Sequence, residues 1–187
     1  MPVPRLDVHN TGLLLLDVQD QIVPHLIDGP RLITNCAVLM RVADTLKLPY
    51  VVTELDPRRQ GRTAQALESC MPDPSNRIER SSLSAYVDLV EDELDEWHRP
   101  TMLLAGALAH ITVLQTALDM LADGVQVFVC RDAVSSNPME MVEPALRRIE
   151  RAGGVITDVQ GAILELVGDL RHPLYGACAT HIDDIAH

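Results

Sequence analysis

Five positions carry side chains able to do chemistry, and each stands at the end of a segment that reads as a strand. Asp17 closes Thr11-Gly12-Leu13-Leu14-Leu15-Leu16, Glu54 follows Tyr50-Val51-Val52-Thr53, and Arg80 ends the short segment from Arg77. The run from Thr101 ends in Gly106-Ala107-Leu108-Ala109-His110-Ile111-Thr112, and Val125 to Cys130 is followed by Arg131-Asp132. A carboxylate can take or deliver a proton in a transition state, and so can an imidazole. A guanidinium can only hold charge and donate hydrogen bonds, because it does not give up its proton.

Several chemistries lack their residues. No GxGxxG follows the first apolar run, and the chain has neither a P-loop nor a GxSxG elbow. A phosphatase with two aspartates one residue apart needs an acid at position 19, which is Gln19. His9, His25, His98, His110, His172, His181 and His187 form no HxxxH pair, and Cys36, Cys70, Cys130 and Cys178 form no CxxC pair. No cofactor and no metal are expected.

These residues need a frame, and the pattern supplies one. Continuous apolar runs of this length fit strands buried on both faces. Asp28-Gly29-Pro30 opens a helix whose Leu32, Cys36, Leu39, Ala43 and Leu46 share a face, and Pro49 ends it. Residues 55 to 76, with Pro57, Gly61, Pro72 and Pro74, form the one long irregular stretch. Ser84 is placed to cap a helix with Tyr86, Val90, Leu94 and Trp97 inward and an acidic outer face. Helices are expected over 110–123 and near 138–152, a sixth strand over Val155 to Val159, and a last helix from Gly161 to Val167. The tail after Arg171 has no clear pattern.

Alternation of strand and helix over the whole chain implies an α/β fold with a parallel sheet and helices on both faces. Ligands of such sheets bind beyond the carboxyl ends of the strands, where strand order reverses. In the order 3-2-1-4-5-6 the first and fourth strands meet there, so Asp17 faces the 106–112 turn. Lys47, the sole lysine, precedes the second strand and lies at the opposite edge. Cys130 and Cys36 read as buried structural cysteines.

Composition narrows the partners. The 187 residues fit a single domain spanning 1–187, 47% of them are hydrophobic, and the formal net charge is −12. That balance excludes a general nucleic-acid binder and disfavours anionic membranes. No apolar run is long enough to span a bilayer, the first residues do not read as a secretory signal, and unpaired cysteines point to a cytoplasmic protein.

The chain resembles the isochorismatase-like hydrolase superfamily, and especially its small isochorismatase-domain proteins. The resemblance rests on LLLLDVQD at 13–20, VVTELDP at 51–57, RSSLSAY at 80–86, LLAGALAHITVLQTALDML at 103–121, VFVCRDAVSS at 127–136 and ELVGDLRHP at 165–173. It implies a six-stranded, three-layer α/β/α fold and hydrolysis of a small molecule. Hydrolytic members use an Asp, a Lys and a Cys. The Asp falls at Asp17, the Lys at Arg80 and the Cys at Thr112, so two of the three positions differ here. Thr112 as a nucleophile would need Asp17 as a full general base, because its hydroxyl is far less acidic than a thiol. Capping the helix, bonding the substrate or positioning a water are the other readings of Thr112.

True isochorismatases also lack the cysteine and share Ala109-His110-Ile111. There an Asp protonates a vinyl ether, which implies a protonated Asp17, whereas Arg80 favours the ionised form. The resemblance further implies a cis peptide at Ala107–Leu108 and an oxyanion hole from the N–H groups of Leu108 and Thr112. Gln19, Glu54, Tyr86 and His110 are candidates for substrate contact, with loop anchoring the alternative for Glu54 and core packing for Tyr86. Members of the family are homo-oligomers, so a dimer or tetramer is expected, with the apolar tail near Leu174 to Ala179 as an interface. A noncatalytic binding or scaffold protein on the same fold is the rival reading.

Overall fold

The computed structural model describes residues 3–71, 73 and 75–186. Pro72, Pro74 and His187, named above, lie outside them.

Six parallel strands form one sheet in the order β3-β2-β1-β4-β5-β6: β1 Thr11–Leu16, β2 Tyr50–Leu55, β3 Arg77–Arg80, β4 Thr101–Gly106, β5 Gln126–Val134 and β6 Val155–Thr157. Successive side chains of a strand point to opposite faces, so each apolar run serves two cores. Leu13, Leu15, Leu103, Ala105, Phe128 and Cys130 pack beneath α1 (Gly29–Leu46), α7 (Val159–Val167) and α8 (Tyr175–Ile182). Leu14, Leu16, Met102, Leu104, Val127 and Val129 pack beneath α4 (Asp88–Trp97), α5 (Leu114–Ala122) and α6 (Val142–Arg151). Two short helices, α2 (Pro57–Gln60) and α3 (Gln65–Glu68), break the irregular stretch.

Several element ends differ from the sequence expectation, each for a local reason. Strand β5 continues past Cys130 to Val134, because a register shift after Leu104 pairs Gly106 with Val134. Strand β6 stops at Thr157, since the Asp158 side chain accepts the Gly161 N–H at 2.7 Å and starts α7 two residues early. Ser84 does not cap α4: its hydroxyl accepts the Tyr86 N–H at 3.2 Å, and α4 begins four residues later. The helix expected over 110–123 opens as a π-helical turn, Ala109–Val113, before α5. Helix α6 starts late, after a cis Asn137–Pro138 bond and a single 3-10 turn over Met139–Met141. The tail forms α8, seated on α1 and α7 through the buried Cys178.

Candidate active site

The central strands β1 and β4 end together at the switch point. The Ala107 N–H donates to the Leu16 carbonyl at 2.7 Å. Gly106 permits this approach: its φ is +137°, and a Cβ there would stand 2.1 Å from the Leu16 oxygen. Asp17 turns out of β1 in the left-handed region, at φ +54°. Such a conformation is uncommon for a non-glycine residue and recurs at functional sites. Bonds from the Asp17 N–H to the Thr53 carbonyl, at 3.2 Å, and from the Gln19 N–H to the Asp17 carbonyl, at 2.8 Å, hold it.

The turn aims the Asp17 carboxyl at three donors. Arg80 Nη2 donates to Oδ2 at 2.6 Å, Thr112 Oγ1 to the same oxygen at 2.9 Å, and Thr53 Oγ1 to Oδ1 at 2.9 Å. Arg80 comes from the end of β3 and Thr112 from the π turn, so four separate segments meet at one carboxyl group. Asp17, Thr53 and Thr112 are fully buried, and Arg80 is 8% exposed. Burial pushes the Asp17 carboxyl above its ordinary range, while Arg80, Thr112 and Thr53 pull it back. Arg80 is held by a second bond, from Nη1 to the Ser82 carbonyl, and its Nε has no partner among the described residues.

The other expected contacts divide. His110 sits at the carboxyl edge, half-buried, with Nδ1 hydrogen-bonded to the buried Ser136 hydroxyl. Gln19 is consumed in structure: Nε2 donates to the carbonyls of Gly61 and Leu55, at 2.6 and 3.2 Å, and Oε1 accepts the Leu55 N–H at 2.8 Å. Glu54 anchors the long loop. Its Oε1 accepts the N–H and hydroxyl of Thr63, both at 2.7 Å, and its Oε2 accepts Arg62 at 2.9 Å. Burial raises its carboxyl, but Thr63, Arg62 and Arg77 together outweigh that, and the net direction is down. Tyr86 points away from the site, donating at 2.7 Å to Asp123 at the far end of α5.

The peptide implied to be cis is not: among the described residues the sole cis bond is Asn137–Pro138. Leu108 instead takes a left-handed conformation, φ +57°, which turns the chain into the π helix without a cis bond. Lys47 caps the C-terminus of α1 and pairs with Asp44 at 2.9 Å, remote from Asp17. Cys130 is fully buried, and burial pushes its thiol well up. Among the described residues no group of three or more His, Cys, Asp or Glu is placed to hold a metal.

Thr53 and Ser136 were not singled out from sequence. Thr53 lies within an apolar strand, where its pairing depends on the β1–β2 register. Ser136 lies at the end of the 127–136 segment, with nothing in its spacing to connect it to His110.

A cavity of about 290 Å³ opens at this edge, lined by Gln21, Ile22, His25, Gln60, Leu108 and Asn137 among others. A larger one, about 600 Å³, lies beyond β5 and β6, with Arg31, Arg131, Asp132 and Asp158 in its wall. Neither is lined by Asp17, Arg80 or Thr112. The smaller one includes Leu108, which immediately precedes the turn that carries Thr112.

The sheet order and the buried cluster at its switch point define a doubly wound α/β protein with a carboxylate, a guanidinium and two hydroxyls gathered where β1 and β4 end. The family model of the isochorismatase domain matches residues 11–161, and the chain belongs to that family. It is 34% identical over 173 residues to the secreted isochorismatase effector Isc1 of Phytophthora sojae, covering 90% of this chain and 82% of that one. It is 28% identical over 174 residues to isochorismatase domain-containing protein 2 of Xenopus laevis, covering 92% and 83%. Its fold is similar to that of the MAR1 ribonuclease of Caenorhabditis elegans, with TM-score 0.91, 30% identity and 96% and 92% coverage. It is also similar to that of the YcaC gene product of Escherichia coli, described as an octameric hydrolase of unknown specificity, with TM-score 0.90, 24% identity and 98% and 92% coverage. No helix among the described residues is long and apolar enough to cross a membrane.

Proposed function

We propose that this chain hydrolyses a small molecule with water as nucleophile and Asp17 as the proton-transferring group. The observation that carries the reading is the convergence of Arg80 and Thr112 on one oxygen of Asp17, at 2.6 and 2.9 Å. Arg80 replaces an ammonium as charge partner but cannot shuttle a proton. Thr112 gives its hydroxyl to Asp17 and serves as a positioning group, not a nucleophile. The N–H groups of Leu108 and Thr112 supply the anion cradle, a task that does not depend on side-chain identity.

The two demands on Asp17, acid and partner of a cation, are compatible. Arg80 occupies Oδ2, whereas Oδ1 meets only the Thr53 hydroxyl, which can accept as well as donate. A proton on Oδ1 therefore leaves the Arg80 hydrogen bond to Oδ2 in place; it neutralises the carboxyl, which burial favours and the Arg80 charge opposes.

Hydrolysis is tested by incubating the protein with small amides, esters and isochorismate and following products by mass spectrometry. Asp17→Asn is expected to abolish any turnover found in the wild type. Retained turnover in that variant would sink the mechanism. The complete burial of Asp17 favours a second reading, ligand binding without turnover. That reading gains if ligands bind wild type and Asp17→Asn alike and neither converts them.

Assembly belongs to the same proposal. Leu164, Leu170 and Leu174 leave apolar surface exposed around α7 and the start of α8, which fits a homo-oligomer. The four cysteines are all free thiols, which fits a cytoplasmic setting.

A further inference from the structure

The larger cavity, about 600 Å³, is built at the carboxyl ends of β5 and β6, and its volume is that of a small-molecule site. Tethers to one residue of β5 fix its walls. Arg31 Nη1 and Asn35 Nδ2 both donate to the Asp132 carbonyl, Asn35 at 2.8 Å, and the Val159 N–H donates to Asp132 Oδ1 at 2.9 Å. The fully buried Asn35 also takes up the tail: its Oδ1 accepts the Ala186 N–H at 2.9 Å and its Nδ2 donates to the Ala186 carbonyl at 3.1 Å. The starts of α1 and α7, the end of β5 and the tail are thereby joined around one opening.

The wall carries three kinds of group. Arg31 has only 12% of its side chain exposed and its Nε is held by Asp28, whereas its Nη2 makes no hydrogen bond among the described residues. The exposed Arg131 has neither a hydrogen bond nor an ion pair from its guanidinium among the described residues. Asp132 and Asp158 each spend Oδ1 on the first turn of α7, at the N–H groups of Val159 and Gly161, which leaves Oδ2 of both and closes that helix end to an anion. Met139, Val142 and Leu146 supply an apolar side.

Charge decides what fits. Counting Glu143, which pairs with Arg147 at 3.1 Å, the wall sets two guanidiniums against three carboxylates. A plain anion meets excess negative charge, and a plain cation brings the guanidiniums a like charge; a molecule carrying both charges answers both sets. Arg31 bonds the backbone of the residue whose carboxyl lies beside it, so the two charges of the ligand must stand close together, as on the substituents of one α-carbon. Burial pushes the Asp132 carboxyl up and the Asp158 charge adds to this, a strain that an ammonium between them offsets. We infer that this cavity binds an aliphatic α-amino acid, with its carboxylate on Arg31 and Arg131, its ammonium on Oδ2 of Asp132 and Asp158, and its side chain against Met139, Val142 and Leu146. Such binding needs no turnover at Asp17.

The test titrates the full chain with L-leucine and follows backbone amides by two-dimensional NMR. Saturable shifts are expected at Arg131, Asp132, Leu146 and Val159, with Kd of about 1 mM or lower. Leucinamide, which lacks the carboxylate, and isocaproate, which lacks the ammonium, are each expected to bind about 10-fold more weakly or worse. Arg131→Gln, at an exposed position, is expected to lose about 10-fold in leucine affinity, and Asp158→Asn, whose amide oxygen still caps α7, a similar factor. Arg58→Gln, outside this cavity, is expected to match wild type. Shifts that fail to saturate by about 20 mM leucine, leucinamide or isocaproate binding within threefold of leucine, or Arg131→Gln within twofold of wild type each overturns the inference. So do shifts confined to His25 and Asn137, which line the smaller cavity. A changed sedimentation coefficient in Arg131→Gln would place a second copy over this face and overturn it too. Every readout is binding alone, so failure here leaves the hydrolytic reading untouched.

Discussion

Replacing Arg80 by Met isolates the ion pair at the switch point. Met keeps an unbranched apolar stem but removes the guanidinium, which stands 2.6 Å from the Asp17 carboxylate; the two side chains are 3% and 0% exposed. Asp17 then keeps only the hydroxyls of Thr112 and Thr53. Breaking a buried pair by removing one partner costs about 3–5 kcal/mol, because the remaining charge is stranded. Against a total stability of about 5–15 kcal/mol, and with a urea slope of about 2 kcal/mol per molar, the unfolding midpoint should fall by roughly 1.5–2.5 M. The deficit depends on pH with a definite sign. Burial already raises the Asp17 carboxyl in the folded state, and Arg80 pulls it down; without Arg80 it rises further. The folded variant then holds a proton that the unfolded chain, near the ordinary 3.8, has released. Stability of the variant falls as pH rises through that interval, so the deficit is largest above the raised value and shrinks toward pH 4. Urea unfolding at pH 7.5 and pH 5, followed by Trp97 fluorescence and circular dichroism, measures both. Adding Asp17→Asn should recover part of the loss, since it removes the stranded charge. A deficit below about 1 kcal/mol at pH 7.5, or one of equal size at both pH values, would refute the reasoning.

Two further substitutions probe the frame. Gly106→Ala forces a Cβ to 2.1 Å from the Leu16 carbonyl oxygen at φ +137°, and strain plus overpacking should cost about 2–6 kcal/mol; a soluble variant with wild-type thermal stability would show that β1 and β4 can part. Glu54 is held below its ordinary 4.5 by Thr63, Arg62 and Arg77 despite its burial. Its contribution is therefore present above about pH 4.5 and lost as pH falls through the depressed value. Glu54→Gln should lower stability at pH 7 by about 1–3 kcal/mol and flatten the acid limb of the stability profile, and an unchanged acid limb in urea titrations between pH 3 and 6 would exclude this loop anchor.

How legible the site was depends on the kind of contact. Asp17 and Arg80 stood out because each ends a strand, and strand ends of a parallel sheet share one edge whatever the side chains do. Gln19, Glu54 and Tyr86 met the same criterion or the family likeness, yet all three spend their polar atoms on the protein itself: Gln19 on the end of β2 and the loop after it, Glu54 on that same loop, and Tyr86 on Asp123. Position at the edge does not say which way a side chain turns. The cis bond expected at Ala107–Leu108 is likewise a matter of local dihedrals, and Leu108 meets the turn with a positive φ instead.

The amino-acid sequence alone determined the architecture, because continuous apolar runs that must be buried on both faces, with helical stripes between them, leave few arrangements other than a parallel sheet covered on each side. It also placed a carboxylate at the reversal point of the strand order and a guanidinium at the same carboxyl edge of the sheet. Tertiary structure decided that Thr53 and Thr112 complete the Asp17 shell and that Ser136 meets His110. Those contacts join residues 36, 95 and 26 positions apart, and hydrogen bonds of a few ångströms depend on strand register, a bulge and a π turn that no residue pattern encodes.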